Sequence, residues 1–188
     1  RAVGFVMTVF QKLLDSSSFA LLSALKKRSS HIQSLIDKML NGEYQVDTRG
    51  QLEWIDPELA EQVDDEPETM SDITMQKTLE EFQEELATLK RLVHIAATIE
   101  KNKKGEKLRE LLEKLKKRGE KKFLVFTQFR TTQEYLRQLL ADYSVEVFHG
   151  SMNRDEKENA ILRFKDETEI LICTEAGGEG RNMQFCNI

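Results

Sequence analysis

From Lys121 onward the hydrophobic period of the chain changes, and this limits the fold more than any other feature. Phe123-Leu124-Val125-Phe126 is a short apolar run with a lysine pair before it and a polar Thr127-Gln128 exit. Val145 to Phe148 reads as a second strand, ending in His149-Gly150, and Ile170-Leu171-Ile172-Cys173 is a further apolar run, ending in Thr174. Short apolar runs with polar exits read as strands buried on both faces. Between them lie helical stretches. One begins at Thr131, with Glu134 in the capping-box position, and buries Tyr135, Leu136, Leu139 and Leu140. The other begins at Asn153, with Glu156 in the same position, and carries Ile161, Leu162 and Phe164. Strand–helix–strand–helix–strand with short connections requires right-handed crossovers and a parallel sheet.

Upstream the pattern is helical. Val6, Val9, Phe10, Leu13 and Leu14 share one helical face, and Ser16-Ser17-Ser18 offers N-caps for a run through Leu21, Leu22 and Leu25. A second amphipathic run holds Ile32, Leu35, Ile36, Met39 and Leu40 and stops at Asn41-Gly42. From Gln51 to Gln76 there is no Lys or Arg, acids are dense, and both prolines, Pro57 and Pro67, occur, which is linker chemistry. Helix returns with Leu79, Phe82, Leu86, Leu89 and Val93, and again with Leu108, Leu111, Leu112 and Leu115, with a break expected at Asn102 to Gly105. The fold class is therefore α/β: a helical N-terminal region followed by a small parallel sheet.

Hydrophobic residues make up 39% of the 188, enough for a packed core. Two cysteines and three scattered histidines cannot build a disulfide framework or a zinc site, and Cys173, inside the third strand, reads as buried filler. No apolar run reaches the length of about 18 residues that a membrane span needs. A net charge of -5 argues against a protein that coats nucleic acid over its whole surface but leaves room for a local groove.

The third strand runs into Gly177, Gly178 and Gly180, then Arg181-Asn182-Met183-Gln184. A parallel strand ending in glycines presents bare backbone N–H groups at the carboxyl edge of the sheet, where open α/β folds bind ligands. The string ILICTEAGGEGRNMQFCNI closely resembles motif V of the superfamily-two helicases, in the version of the swi/snf-type DNA translocases, S/C-T-x-A-G-G-E-G-L-N-L-Q. The bacterial RapA-like branch is the nearest in flavour. Phe123-Leu124-Val125-Phe126-Thr127-Gln128-Phe129 is similar to that family's motif IV, and Phe148-His149-Gly150-Ser151-Met152 to its second strand exit. Where the family usually places Arg in the helix leading to Phe164, this chain has Lys157, and where it has Leu in motif V this chain has Arg181. Lys cannot reproduce a bidentate fork. Val9 to Ser17 looks like the start of the helical spacer between lobes in RapA-like proteins.

The resemblance implies that residues 119–188 are part of a RecA-like second lobe, P-loop NTPase-like in fold. Residues 1–118 would then be a helical inter-lobe region with an acidic linker at about 44–76. It implies that Thr127, Gln128, Gly150, Ser151, Thr174, Asn182 and Gln184 face nucleic acid, and that Gly177, Gly178, Glu179 and Gly180 lie at the nucleotide interface. Implied partners are double-stranded DNA, the first RecA-like lobe of the same protein, and RNA polymerase or another protein complex, in a cytoplasmic, nucleoid-associated setting. ATP and magnesium belong to the longer parent. For this piece no cofactor, no metal and no catalytic residue is expected, because it has no G-x-x-x-x-G-K-[ST] loop and motif VI, with its arginine fingers, would lie beyond Ile188. Asp64-Asp65-Glu66 follows no apolar strand and reads as linker, and the basic run Lys101 to Lys122 reads as a solvated helix face or a phosphate-facing one. His149 has no neighbour in sequence that would orient it as a base. The rival is a non-enzymatic helical protein-interaction module fused to a small α/β domain, in which the GGEG turn only reverses the chain. A flavodoxin-like domain ranks last, for want of a strand-end Asp cluster.

Overall fold

The computed structural model describes residues 2–43, 78–99 and 102–174, with side chains from residue 8 onward. The chain divides into two compact units, Arg1–Glu100 and Lys101–Ile188.

The first unit holds α1 (Ala2–Ser16), α2 (Ser18–Leu40) and α3 (Leu79–Ala97). Ser17, from the predicted serine triplet, caps α2: its Oγ accepts from Ala20 N at 3.0 Å. The two amphipathic runs expected between residues 21 and 40 join into one helix, because nothing between Leu25 and Ile32 is a breaker and the basic Lys26-Lys27-Arg28 simply lies on the flank. Gly42 ends the turn beyond α2 with a φ of 72°, a backbone that only glycine adopts without cost. At the start of α3, Thr78 and Glu81 form a complete capping box. The core is a seam of Leu25, Ile32 and Ile36 against Phe82, Leu86, Leu89 and Ala96. Two polar links tie the same helices: Arg28 to Glu85 at 2.8 Å, and Lys90 Nζ donating to Gln33 Oε1 at 3.3 Å. In both, the partners stand 57 residues apart in sequence. A constant offset means that α2 and α3 run in the same direction.

The second unit holds α4 (Lys103–Lys117), β1 (Phe123–Thr127), α5 (Arg130–Leu139), β2 (Val145–Phe148), α6 (Arg154–Asp166) and β3 (Ile170–Thr174). The strands pair in parallel in the order β1-β3-β2, so β3 lies in the centre and is buried along its whole length. That explains its unbroken apolar sequence. The β1-to-β2 connection passes over the place of β3 and the next one returns to it. Two right-handed crossovers that move in opposite directions put their helices on opposite faces. Accordingly Leu136 and Leu140 of α5 pack with Phe123, Ile170 and Ile172, while Ala160 and Phe164 of α6 pack with Phe148, Leu171 and Cys173.

Leu112 of α4 joins the α5 side of this core, so α4 is built into the second unit, whose limit falls at Lys101. The break expected at Asn102 to Gly105 comes earlier, between Ala97 and Lys103, and Asn102 caps α4 by accepting from Gly105 N at 3.2 Å. Gly105 itself is helical and buried, because α5 approaches it closely: a Cβ there would lie 2.6 Å from Tyr135 Oη and 2.8 Å from Leu139 Cδ2. The two expected capping boxes divide. Asn153 and Glu156 form theirs. Thr131 and Glu134 do not, since α5 starts at Arg130 with Phe129 in the cap position and no side-chain cap bond. Phe129 is fully buried, and anchoring that ring pulls the helix start forward so that Thr131 falls inside the first turn.

Candidate functional site

Parallel register gathers the strand ends. Thr127 lies beside Thr174, and Phe148 beside Cys173, so the exits of β1 and β2 leave from the same carboxyl edge at which β3 ends. Gln128 is half-buried in the turn between β1 and α5, Gly150 is half-buried and Ser151 exposed in the turn between β2 and α6. Thr127 is nearly buried and Thr174 fully so. Among the described residues the Thr174 hydroxyl has no hydrogen-bond partner. A buried hydroxyl without a partner costs on the order of 1–3 kcal/mol, so the described residues leave a polar demand at the centre of this edge. Gly177, Gly178, Glu179, Gly180, Arg181, Asn182 and Gln184 lie outside the described residues.

A cluster of side chains joins the two turns. Arg130, at the start of α5, donates from Nη1 to Ser151 Oγ at 3.0 Å, and the same hydroxyl stands 3.1 Å from His149 Nδ1. Lys157 donates to Gly150 O at 2.9 Å. It therefore holds the turn with a single donor, a task that does not need the fork of an arginine. Its Nζ also lies 6.0 Å from the centre of the Phe148 ring. Burial lowers the His149 pKa below the ordinary histidine value. Arg130 and then Lys157 push it the same way, against an opposing pull from Glu156. In the neutral ring, Nδ1 accepts from the Ser151 hydroxyl or donates to it according to the tautomer. No carboxylate hydrogen-bonds to His149 among the described residues, so none of them supplies the Ser151–His149 pair with the third group that a nucleophile-and-base pair needs. The chemistry on offer is anion binding: cations, hydroxyls and a glycine turn at the open end of a parallel sheet.

Gln133 is a site-shaping residue that sequence reading passed over. It is buried, and its Nε2 donates to Phe148 O at 3.0 Å and to Ile172 O at 2.8 Å. One amide from α5 thus fastens the end of β2 to the middle of β3. The signal was available: Gln133, Leu136 and Leu140 share the i, i+3, i+7 stripe that faces the sheet. At the opposite edge Lys122 donates to Phe164 O at 2.6 Å and Thr168 O at 2.8 Å, tying the end of α6 to the start of β1. No group of three or more His, Cys, Asp or Glu among the described residues is placed to hold a metal ion. No described helix is long and apolar enough to cross a membrane.

Residues 103–188 match the family described as the helicase conserved C-terminal domain. A Bacillus subtilis (strain 168) protein named uncharacterized ATP-dependent helicase YqhH is 33% identical over 102 residues, a match covering 53% of this chain and 18% of that protein. The RNA polymerase-associated protein RapA of Vibrio cholerae (strain M66-2) is 39% identical over 83 residues, covering 41% of this chain and 9% of RapA. RapA of Vibrio vulnificus (strain YJ016) is 40% identical over the same length. The match therefore spans less than a fifth of each of these relatives. The crystal structure of the Pyrococcus furiosus Hef helicase domain aligns with a TM-score of 0.41 at 18% identity, over 81% of this chain and 26% of that one.

Proposed function

We propose, on the match of residues 103–188 to the helicase conserved C-terminal domain, that the second unit is the rear lobe of an ATP-driven DNA translocase. Its carboxyl edge grips the phosphate backbone through Thr127, Gln128, Gly150, Ser151, Thr174, Asn182 and Gln184. Arg130 and Lys157 hold the β2 turn in shape and supply positive charge. Gly177, Gly178, Glu179 and Gly180 meet the nucleotide, with ATP and magnesium held chiefly by a first RecA-like lobe elsewhere in the protein. The helical unit serves as a spacer between lobes, with residues 44–76 as an acidic linker. The same protein associates with RNA polymerase or another protein complex, as the names of the Vibrio relatives suggest, in the cytoplasm alongside the nucleoid.

The observation that carries this reading is the convergence of the β1 and β2 exits and Thr174 on one sheet edge, within residues that match that family. The buried Thr174 hydroxyl at that edge, without a hydrogen-bond partner among the described residues, supports it. The 188-residue chain itself turns over no ATP, because it contains neither a G-x-x-x-x-G-K-[ST] loop nor a Q-x-x-G-R-x-x-R run. It binds DNA weakly and with strong salt dependence. Two measurements test the proposal. Substituting Gly178→Val or Gly180→Val in the longer protein should abolish DNA-stimulated ATP hydrolysis while the circular dichroism spectrum is kept. Unchanged hydrolysis would return those glycines to a plain chain reversal and favour an interaction module. In the second, the purified 188-residue chain is assayed for phosphate release, and turnover above a heat-killed control contradicts the assignment.

A further inference from the structure

On α4, Lys103, Lys107, Lys114 and Arg118 fall within about 60° of one another around the helix axis, on a line about 22 Å long. All four are exposed. None has a hydrogen bond or ion pair among the described residues, whereas Arg109, Lys116, Arg154 and Arg163 of the same unit each have a carboxylate partner. Of the acids on α4, Glu113 lies near Arg109 at 3.9 Å and Glu106 sits on the flank; only Glu110 borders the cationic line. Helix energetics explains half of it. Cations in the last turn complement the helix dipole, but Lys103 and Lys107 stand at the other end, where the dipole opposes them. Like charges four residues apart, Lys103 with Lys107 and Lys114 with Arg118, also repel, offset in part by Glu106, three residues from Lys103, and Glu110, three from Lys107 and four from Lys114.

We propose that this face of α4 is a second phosphate-backbone contact, which extends the track beyond the carboxyl edge of the sheet. The proposal rests on the reading of that edge given above. The placement is right. Gly105 lies against Tyr135 and Leu139, Arg109 donates to Leu139 O and pairs with Asp142, and Lys116 reaches Tyr143 and Glu169. So α4 runs alongside α5 in the same direction, and Lys103 is the end of the line nearest the edge from which α5 starts. A phosphate rise of 3.4 Å per strand lets a 22 Å line of charge follow about six nucleotides. Leu111, exposed between Lys107 and Lys114, rests against sugar rather than water. Weakly hydrated apolar contact of that kind is compatible with a backbone and adds nothing to sequence reading.

The test uses the 188-residue chain and a fluorescent 20-base-pair duplex, with binding measured between 50 and 200 mM KCl. Each phosphate contact adds about 0.9 to the slope of log affinity against log salt, so K103Q/K107Q/K114Q should flatten the slope by about 2.7. Across that salt range the parent chain should then lose about 40-fold more affinity than the variant. The corresponding Lys→Arg triple variant should keep the parent slope. An unchanged slope in the Gln variant, with the parent binding normally, overturns the ridge and leaves the sheet edge standing. Failure of the parent to bind DNA at any salt overturns both. A variant that keeps its DNA slope but loses binding to polyglutamate assigns the face to an acidic polypeptide and also sinks the proposal.

Discussion

Gly105 and His149 show how single positions carry this fold in opposite ways. At Gly105 helix propensity favours alanine by about 1 kcal/mol, whereas crowding a packed contact costs about 1–3 kcal/mol. The near contacts at 2.6 and 2.8 Å tip the balance toward crowding. Gly105→Ala should therefore lower stability by about 1 kcal/mol in urea unfolding, and adding Tyr135→Phe, which deletes the nearest atom, should restore part of it. A gain in stability from Gly105→Ala alone would show that α5 yields freely. His149 acts through its proton. Burial, then Arg130, hold its folded pKa below the unfolded value, so the unfolded chain binds the proton more readily. Its contribution is complete above about pH 6.5 and is lost as pH falls through that value toward the folded pKa. Thermal unfolding followed from pH 7.5 down to 5.5 should show a fall in Tm that His149→Gln makes shallower. Lys157 teaches a further point about reading residues. Sequence flags it as a poor stand-in for arginine, yet its partner is one carbonyl, Gly150 O, and a point donor serves that as well.

The helix and strand boundaries divide by whether local chemistry or tertiary anchoring sets them. β3 was the most legible strand because burial on both faces makes an unbroken apolar run, and the Asn153–Glu156 start was legible because the cap is made within four residues. The same spacing at Thr78 and Glu81 went unread beside the acidic stretch, though it forms the same box. At Thr131 the spacing misled, since the buried ring of Phe129 fixes where α5 begins. Gln133 was missed for a related reason: a polar residue on an apolar stripe finds its partners only in the sheet, and no local pattern announces them. Removing that amide by Gln133→Leu strips a donor from Phe148 O and Ile172 O, at a cost of about 2 kcal/mol. Hydrogen exchange should locate the loss at the end of β2 and the middle of β3, where loosening would also blunt the site. If the loss is spread evenly over the unit, the clamp has no local role.

For the chain as a whole, topology was readable where it follows from alternation and unreadable where it follows from strand pairing or a long connection. That the sheet is parallel follows from the alternation of strands and helices, whereas the order β1-β3-β2, and with it the placing of α5 and α6 on opposite faces, is set by pairings that the sequence does not announce. The positions of Thr127, Gln128, Gly150, Ser151 and Thr174 at strand ends or turns follow from the alternation of strands and helices. Cys173 offers a reporter for the integrity of this unit. Burial pushes its thiol up to about 12, so the reactive thiolate is scarce at neutral pH. Alkylation at Cys173 by iodoacetamide, read by peptide mass spectrometry, should stay slow until urea unfolds the second unit. Fast labelling in native buffer would mean that the centre of the sheet opens readily. The helical unit was less transparent: amphipathic runs identify α2 and α3 and the face each buries, but not that they point the same way.

That shared direction has a practical corollary for anyone editing the gene. Asn41 and Thr78 sit at opposite ends of the α2–α3 seam, about 30 Å apart by the rise of a helix. Even fully stretched, a chain needs about nine residues to cover that distance. Splicing in a tight reverse turn would leave α3 able to dock only upside down, with Glu85 carried away from Arg28.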